Sequence, residues 1–132
     1  MTGPERLKPQ LYDEGSPPML QGGVCDCGYV FFPLQAYGCE RCGRHGDSLK
    51  PRALVGRGRL VSSAVVHLHA GERPAPFVVG AIALDDGPVV RTLLAETATA
   101  LPPGTPMVGA LVPAPPGEDG APRVDLRFIA AF

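Results

Sequence analysis

All four cysteines of the chain, Cys25, Cys27, Cys39 and Cys42, fall in one stretch, CDCGYVFFPLQAYGCERCG, residues 25–43. Their order is Cys-x-Cys, eleven residues, then Cys-x-x-Cys. Zn²⁺ takes four soft ligands at the corners of a tetrahedron, with sulfur at about 2.3 Å. Two facing turns, each carrying two thiolates, can supply that shell. Gly28 and Gly43 directly follow the second cysteine of each pair, where such a turn needs a positive φ or an open backbone amide. The spacer is long enough for two short strands and a hairpin, the layout of a zinc ribbon or rubredoxin-like knuckle. The first pair is one residue shorter than the usual Cys-x-x-Cys, which makes Cys25 the least regular ligand and His45 the nearby substitute. A catalytic zinc keeps one position open, whereas four cysteines close the shell, so the expected role is structural. Iron fits four thiolates as well, and a redox dithiol is the remaining alternative, one that sits poorly with two facing pairs.

Other residues that could do chemistry are dispersed. His67 and His69 share one strand face, with only Asp85 and Asp86 as companions for a second metal, and an exposed strand face accounts for both. Ser62 and Ser63 have no base at a recognisable spacing, and there is no Gly-x-Ser-x-Gly elbow. The GRGR run at 56–59 is followed by no helix and matches no phosphate loop. It either brings Arg57 and Arg59 to a phosphate-bearing ligand or is simply a basic turn entering a strand. No paired carboxylates and no Cys/His dyad emerge, so no catalytic residues are expected.

Elements must hold the cysteines in place, and composition says which kind. The 132 residues suit one domain, or a small domain with an appendage, and 45% hydrophobic with 19% charged residues belongs to a folded chain. Gly 17 and Pro 16 make a quarter of the sequence, but they fall between apolar runs and punctuate them. A net charge of −1 offers no electrostatic reason for a nucleic-acid partner. The first twenty residues lack the apolar centre of a signal peptide and no run is long enough to span a membrane. A cytoplasmic location is therefore expected, where clustered cysteines bind metal more often than they form disulfides.

Three segments follow. Residues 1–22 carry Pro4, Pro9, Pro17 and Pro18 and read as an extended arm, disordered or docked on a partner. Residues 23–50 are the ribbon. Residues 51–132 alternate as five short strands. In GRGRLVSSAVVHLHA, a period of two puts Leu60, Ala64, Val66 and Leu68 on one face and Val61, Ser63, Val65, His67 and His69 on the other. PFVVGAIAL and VVRTLLA flank an Asp86-Gly87 turn and form a hairpin. TATALPPGTP is a loop with room for one helical turn, MVGALVP a fourth strand and PPGEDGAP an exposed turn. In RVDLRFIAAF, Val124, Leu126, Phe128 and Ala130 point inward and Arg123, Asp125 and Arg127 outward. Five strands in so short a segment suit a closed OB-fold barrel, with an SH3-like barrel or small sandwich as the rival.

Taken together, CGYVFFP, YGCERCG, GRGRLVSSAVVH and PFVVGAIALDDG resemble a family that joins a rubredoxin-like zinc ribbon to an OB-fold barrel, catalogued as domain of unknown function number thirty-five. The resemblance spans residues 22–132. It implies an accessory subunit that accompanies acyl-CoA enzymes: thiolase-fold proteins, aldolases of that fold, hydratases and acyltransferases. The compact form here is similar to zinc-finger subunits of thiolases in aromatic degradation. By carry-over, Cys25, Cys27, Cys39 and Cys42 hold one structural zinc, and Tyr29, Phe31, Phe32 and Tyr37 form the surface that meets a thiolase-fold partner. Arg57 and Arg59 are the contacts expected for CoA phosphates. Members often carry an N-terminal helix, which the proline-rich arm lacks or shortens. A ribbon under thirty residues long cannot bury four aromatics within itself, so some must face the barrel or another chain.

Two other functions compete. OB-folds and zinc ribbons both serve as nucleic-acid-binding modules, but the charge and the lack of a basic, aromatic-studded strand face argue against one. A rubredoxin-like electron carrier is opposed by the attached barrel and the irregular Cys-x-Cys pair.

Overall fold

The computed structural model describes residues 5–67, 76–116 and 118–131. Among the described residues nine strands form: β1 Glu5–Arg6, β2 Leu20–Cys25, β3 Val30–Phe31, β4 Leu49–Leu54, β5 Arg57–Val66, β6 Phe77–Leu84, β7 Val89–Leu93, β8 Pro106–Ala114 and β9 Arg123–Ala130. A single turn of 3₁₀ helix, Gly46–Ser48, precedes β4. The fold is mainly β, as expected.

The ribbon is a small antiparallel sheet in the order β3-β2-β4, with Cys25 paired to Leu49 at one end and Leu20 paired to Leu54 at the other. Strands β5 to β9 make the barrel. Antiparallel ladders run β7-β6-β5-β8-β9. The ring closes where the residue after β7 meets β9 in parallel: Leu94 bridges Phe128, and the Ala95 N–H donates to the Phe128 carbonyl at 3.0 Å. Five strands with one parallel closure form the OB-fold arrangement, which leaves few free edges. The expected hairpin is present, its turn held by Leu84 N–H to the Pro88 carbonyl at 2.9 Å and by Gly87 at φ +121°. The 95–105 connection contains no helical turn.

The barrel core is Leu60, Val78, Ile82, Leu84, Val90, Leu94, Met107 and Phe128, joined by Leu20 and Leu54 from the ribbon sheet. Leu54 and Phe128 are fully buried, and burial of one such side chain stabilises by about 1.5–3 kcal/mol. The far end of the ribbon sheet is therefore part of the barrel's interior.

Three expectations are corrected. The strict alternation along β5 fails at Val61. Leu60 pairs with Ile82 but Ser62 with Ala81, so Val61 is an extra residue, a β-bulge, and is half exposed. A bulge shifts the phase by one: beyond it, Val65 packs on the core and Ala64 is exposed, the reverse of the sequence expectation. Leu68 and His69 lie outside the described residues. Second, Asp125 points away from the barrel interior but is only 4% exposed. The third explains it: the N-terminal segment is ordered on this chain's own barrel. β1 adds in parallel to β9, and the Leu7 N–H donates to the Val124 carbonyl at 2.8 Å. Tyr12, 2% exposed, bridges Leu20 and donates its hydroxyl to Asp125 Oδ1 at 3.1 Å. Asp125 also binds the Arg127 guanidinium, so the buried carboxylate is paired.

Candidate metal centre and the surfaces beside it

Cys25 ends β2, and Cys27 follows one residue into the turn. That turn is closed by the Gly28 N–H on the Cys25 carbonyl at 2.8 Å and the Cys25 N–H on the Tyr29 carbonyl at 2.8 Å, with Gly28 at φ +94°. The second turn is built alike: the Gly43 N–H meets the Cys39 carbonyl at 2.9 Å, the Cys39 N–H meets the Arg44 carbonyl at 2.8 Å, and Gly43 has φ +80°. L-residues with a Cβ rarely adopt that conformation. Both glycines have the role expected from their place after a cysteine.

The turns bring the four sulfurs within 4.8 Å of one another. Cys25 Sγ lies 3.5 Å from Cys42 Sγ, and Cys27 Sγ 3.7 Å from Cys39 Sγ. A tetrahedron with sulfur about 2.3 Å from its centre has edges of about 3.8 Å, so the cluster has the size a metal tetrathiolate needs. Cys25, the irregular member, is one of the two buried cysteines of the cluster, and His45 is exposed and outside it. Among the described residues this is the one group of Cys, His and acidic side chains able to hold a metal.

The clustered thiols hold their protons unequally. The Arg44 backbone N–H at Cys42, aided by the other thiols, lowers that thiol to about 6. At Cys25 the Cys27 backbone N–H favours the thiolate, but burial and the neighbouring thiols outweigh it and push the thiol up to about 12. The four sulfurs thus do not ionise together unless a cation offsets their mutual repulsion. Outer contacts fix the turns. Arg44 Nη1 sits 3.6 Å from Cys42 Sγ, Arg41 donates to the Cys27 carbonyl, and Lys50 pairs with Asp26 at 2.5 Å.

The aromatics divide. Phe31 is buried in the ribbon core with Cys25, Cys39 and Leu49, and stacks on half-buried Tyr29 with ring centroids 6.4 Å apart. Phe32 packs against the barrel core. Tyr37 is 87% exposed, with Leu34 of the same spacer at 41%. Tyr29, Phe31 and Phe32 line a cleft of about 580 Å³ between the ribbon and the β6–β7 turn. In that turn Asp86 accepts from the Val55 N–H at 2.9 Å and pairs with Arg52, tying the hairpin to β4.

Arg57 and Arg59 are both exposed on β5, and Arg59 donates to the Gly104 carbonyl at 3.0 Å. The glycine before them serves packing: a Cβ at Gly56 would lie 2.2 Å from the Pro18 carbonyl oxygen. His67 is exposed at the end of β5 beyond the Val66–Phe77 pair, whereas the Asp85 backbone N–H donates to the Arg57 carbonyl at 3.0 Å, at the strand's beginning. The structure does not bring His67 to Asp85 or Asp86.

Sequence reasoning missed the contact between Tyr12 and Asp125 and a basic cleft beneath the arm formed by Lys8, Arg91 and Arg127. Neither has a local motif; both depend on where residues 5–20 dock.

No family model and no curated protein matches the chain. Its fold is similar to a solved structure described as "Ltp2-ChsH2(DUF35) aldolase", with a TM-score of 0.63 and 23% identity over 86% of each chain. At that identity the likeness establishes the fold: a cysteine-clustered ribbon continuous with a closed five-stranded barrel.

Proposed function

We propose that this chain is a non-catalytic, zinc-bearing accessory subunit of a thiolase-fold acyl-CoA enzyme. The observation that carries the proposal is the shared architecture, over 86% of the chain, with a DUF35 protein named as part of an aldolase. The sequence resemblance points the same way, with benzoylsuccinyl-CoA thiolase as its most specific form. In this reading Cys25, Cys27, Cys39 and Cys42 hold Zn²⁺ as thiolates. The metal's part is to fold the ribbon, because four thiolates leave no position for substrate.

Residues 1–22 then act as an arm, 23–50 as the ribbon and 51–132 as the barrel. The partner is gripped through the ribbon's aromatic side. Tyr37 is its exposed anchor, Tyr29 its half-buried neighbour, and Phe31 and Phe32 hold the surface from within. Arg57 and Arg59 are the proposed contacts for CoA phosphates, where a guanidinium binds two oxygens at once. A cytoplasmic setting, which keeps the thiols reduced, completes the proposal.

The test is affinity purification of the tagged full chain from its own host, then reconstitution with the copurified enzyme. The expected outcome is a thiolase-fold acyl-CoA enzyme whose turnover needs the chain, and about one zinc per chain by metal analysis. Thioester turnover by the chain alone, or equal turnover by the partner without it, would overturn the proposal. Tyr37→Ser should weaken association, while Arg57→Gln with Arg59→Gln should raise KM for the CoA substrate and leave assembly intact.

A further inference from the structure

The barrel's parallel closure is short, one bridge at Leu94–Phe128. Below it β7 and β9 diverge, and the space between them is an open cleft of about 420 Å³. Its walls carry Arg91 and Thr92 from β7, Asp125 and Arg127 from β9, and Lys8 from the arm laid across the end. A smaller, more apolar lobe of about 110 Å³ continues from it beneath the arm, between Leu11, Tyr12, Phe32 and Val90.

Two of the three cations of this cleft are uncommitted, a state that among the described lysines and arginines outside it only Arg57 shares. Arg127 is paired with Asp125, whereas Lys8 and Arg91 make no side-chain hydrogen bond or ion pair among the described residues. Three positive groups therefore face one carboxylate, and that carboxylate already serves Tyr12 and Arg127. Lys8 holds φ +54°, a left-handed conformation uncommon for a lysine and more so before a proline. Strain of this kind persists only where surrounding contacts impose it. Here the Leu7 N–H on Val124 and the Leu11 N–H on the Lys8 carbonyl hold the turn that puts Lys8 at the cleft. A guanidinium and an ammonium without partners among the described residues converge from different elements on a concave surface, beside the Thr92 hydroxyl, which donates to the Leu93 carbonyl at 3.3 Å. The two cations match a dianionic oxyanion group.

We propose that the β7–β9 seam cleft is a binding site for an organic phosphate, with Lys8 and Arg91 as its primary anion contacts, Arg127 and Thr92 as flanking ones, and the adjoining apolar lobe for the ligand's organic part. The site is separate from Arg57 and Arg59 on β5, and it does not depend on the accessory-subunit proposal, since it is tested on the isolated chain.

The test is a two-dimensional amide NMR titration of the full-length, metal-loaded chain with ADP, CoA, inorganic diphosphate and, at matched ionic strength, sodium chloride. Saturable shifts are expected at Lys8, Arg91, Thr92 and Arg127 with the phosphates and not with chloride. Shifts of equal affinity for diphosphate and ADP would assign recognition to the phosphates alone, and tighter ADP or CoA binding would add the apolar lobe. Arg91→Gln, at an exposed position, should leave the fold's spectrum unchanged and weaken binding about tenfold or more, as loss of a charge-assisted contact does. Lys8→Gln should weaken it to a similar degree, and Arg57→Gln with Arg59→Gln should leave seam binding unaltered. Shifts confined to residues 56–59, absence of saturation by every phosphate, or undiminished affinity in Arg91→Gln would overturn the proposal.

Discussion

The two ends of the ribbon sheet are held by different physics. At the cysteine end the core is Cys25, Phe31, Cys39 and Leu49, four buried residues of which two are ligand candidates. At the other end Leu20 and Leu54 belong to a cluster of ten that includes Ile82, Met107 and Phe128. An apolar core of two non-cysteine side chains cannot offset the ordering of some twenty-five residues, at about 1–2 kcal/mol each for the backbone. A metal tetrathiolate can contribute what is missing. The barrel end needs no such help, because its strands close on themselves around an apolar interior. β2 and β4 thus run from a region whose apolar core is too small to order it alone to one whose order depends on burial.

The largest test of this difference is removal of the metal proposed for the four cysteines. Chelation, or Cys39→Ala, should abolish amide protection in residues 25–48 and leave the β5–β9 ladders protected, as read by hydrogen exchange. Loss of both together would show that the ends fold as one unit. Cys25→Ala should cost as much as Cys39→Ala, because Cys25 is buried and His45 stands outside the cluster. Retention of a full equivalent of metal by Cys25→Ala would restore His45 or water as a substitute ligand.

Next in size is Leu54→Ala, a ribbon-sheet residue by pairing and a barrel residue by packing. It should lower global stability by about 2–5 kcal/mol, the range for deleting a buried leucine side chain. Denaturant melts would show whether the loss is global, as expected, or confined to the ribbon. Phe31→Ser should do the opposite, loosening the cysteine end while the barrel's transition stays in place.

The smallest effect concerns the arm. The Tyr12 hydroxyl is raised from the usual 10.0 to about 12, by burial first and then by the Asp125 charge. A proton held more tightly in the folded state stabilises it fully below pH 10, and that stabilisation is lost as pH rises through about 12. Stability should therefore fall between these values in the wild-type chain. Tyr12→Phe should remove that slope and cost about 1–3 kcal/mol at neutral pH for the Asp125 oxygen left with one partner fewer. An unchanged slope in Tyr12→Phe would assign the alkaline loss to another group.

Sequence alone carried the features whose causes are local. Cysteine spacing with Gly28 and Gly43 determined the two turns, since each cysteine turn is closed by hydrogen bonds among residues three to five apart. Asp86-Gly87 determined the hairpin, and five alternating runs determined a barrel, because period-two patterning and turn chemistry act within a few residues. Tertiary structure decided everything that turned on which surfaces meet. The bulge at Val61 reversed the phase of β5 in its ladder with β6, and the local pattern holds no sign of it. Asp125 is polar and alternates outward, yet the arm covers it with Tyr12, 113 residues away in the chain. Phe31, Phe32 and Tyr37 are chemically alike and close in sequence, but one fills the ribbon, one joins the barrel and one faces solvent. Burial is a property of the assembled neighbours, and no window of sequence contains them.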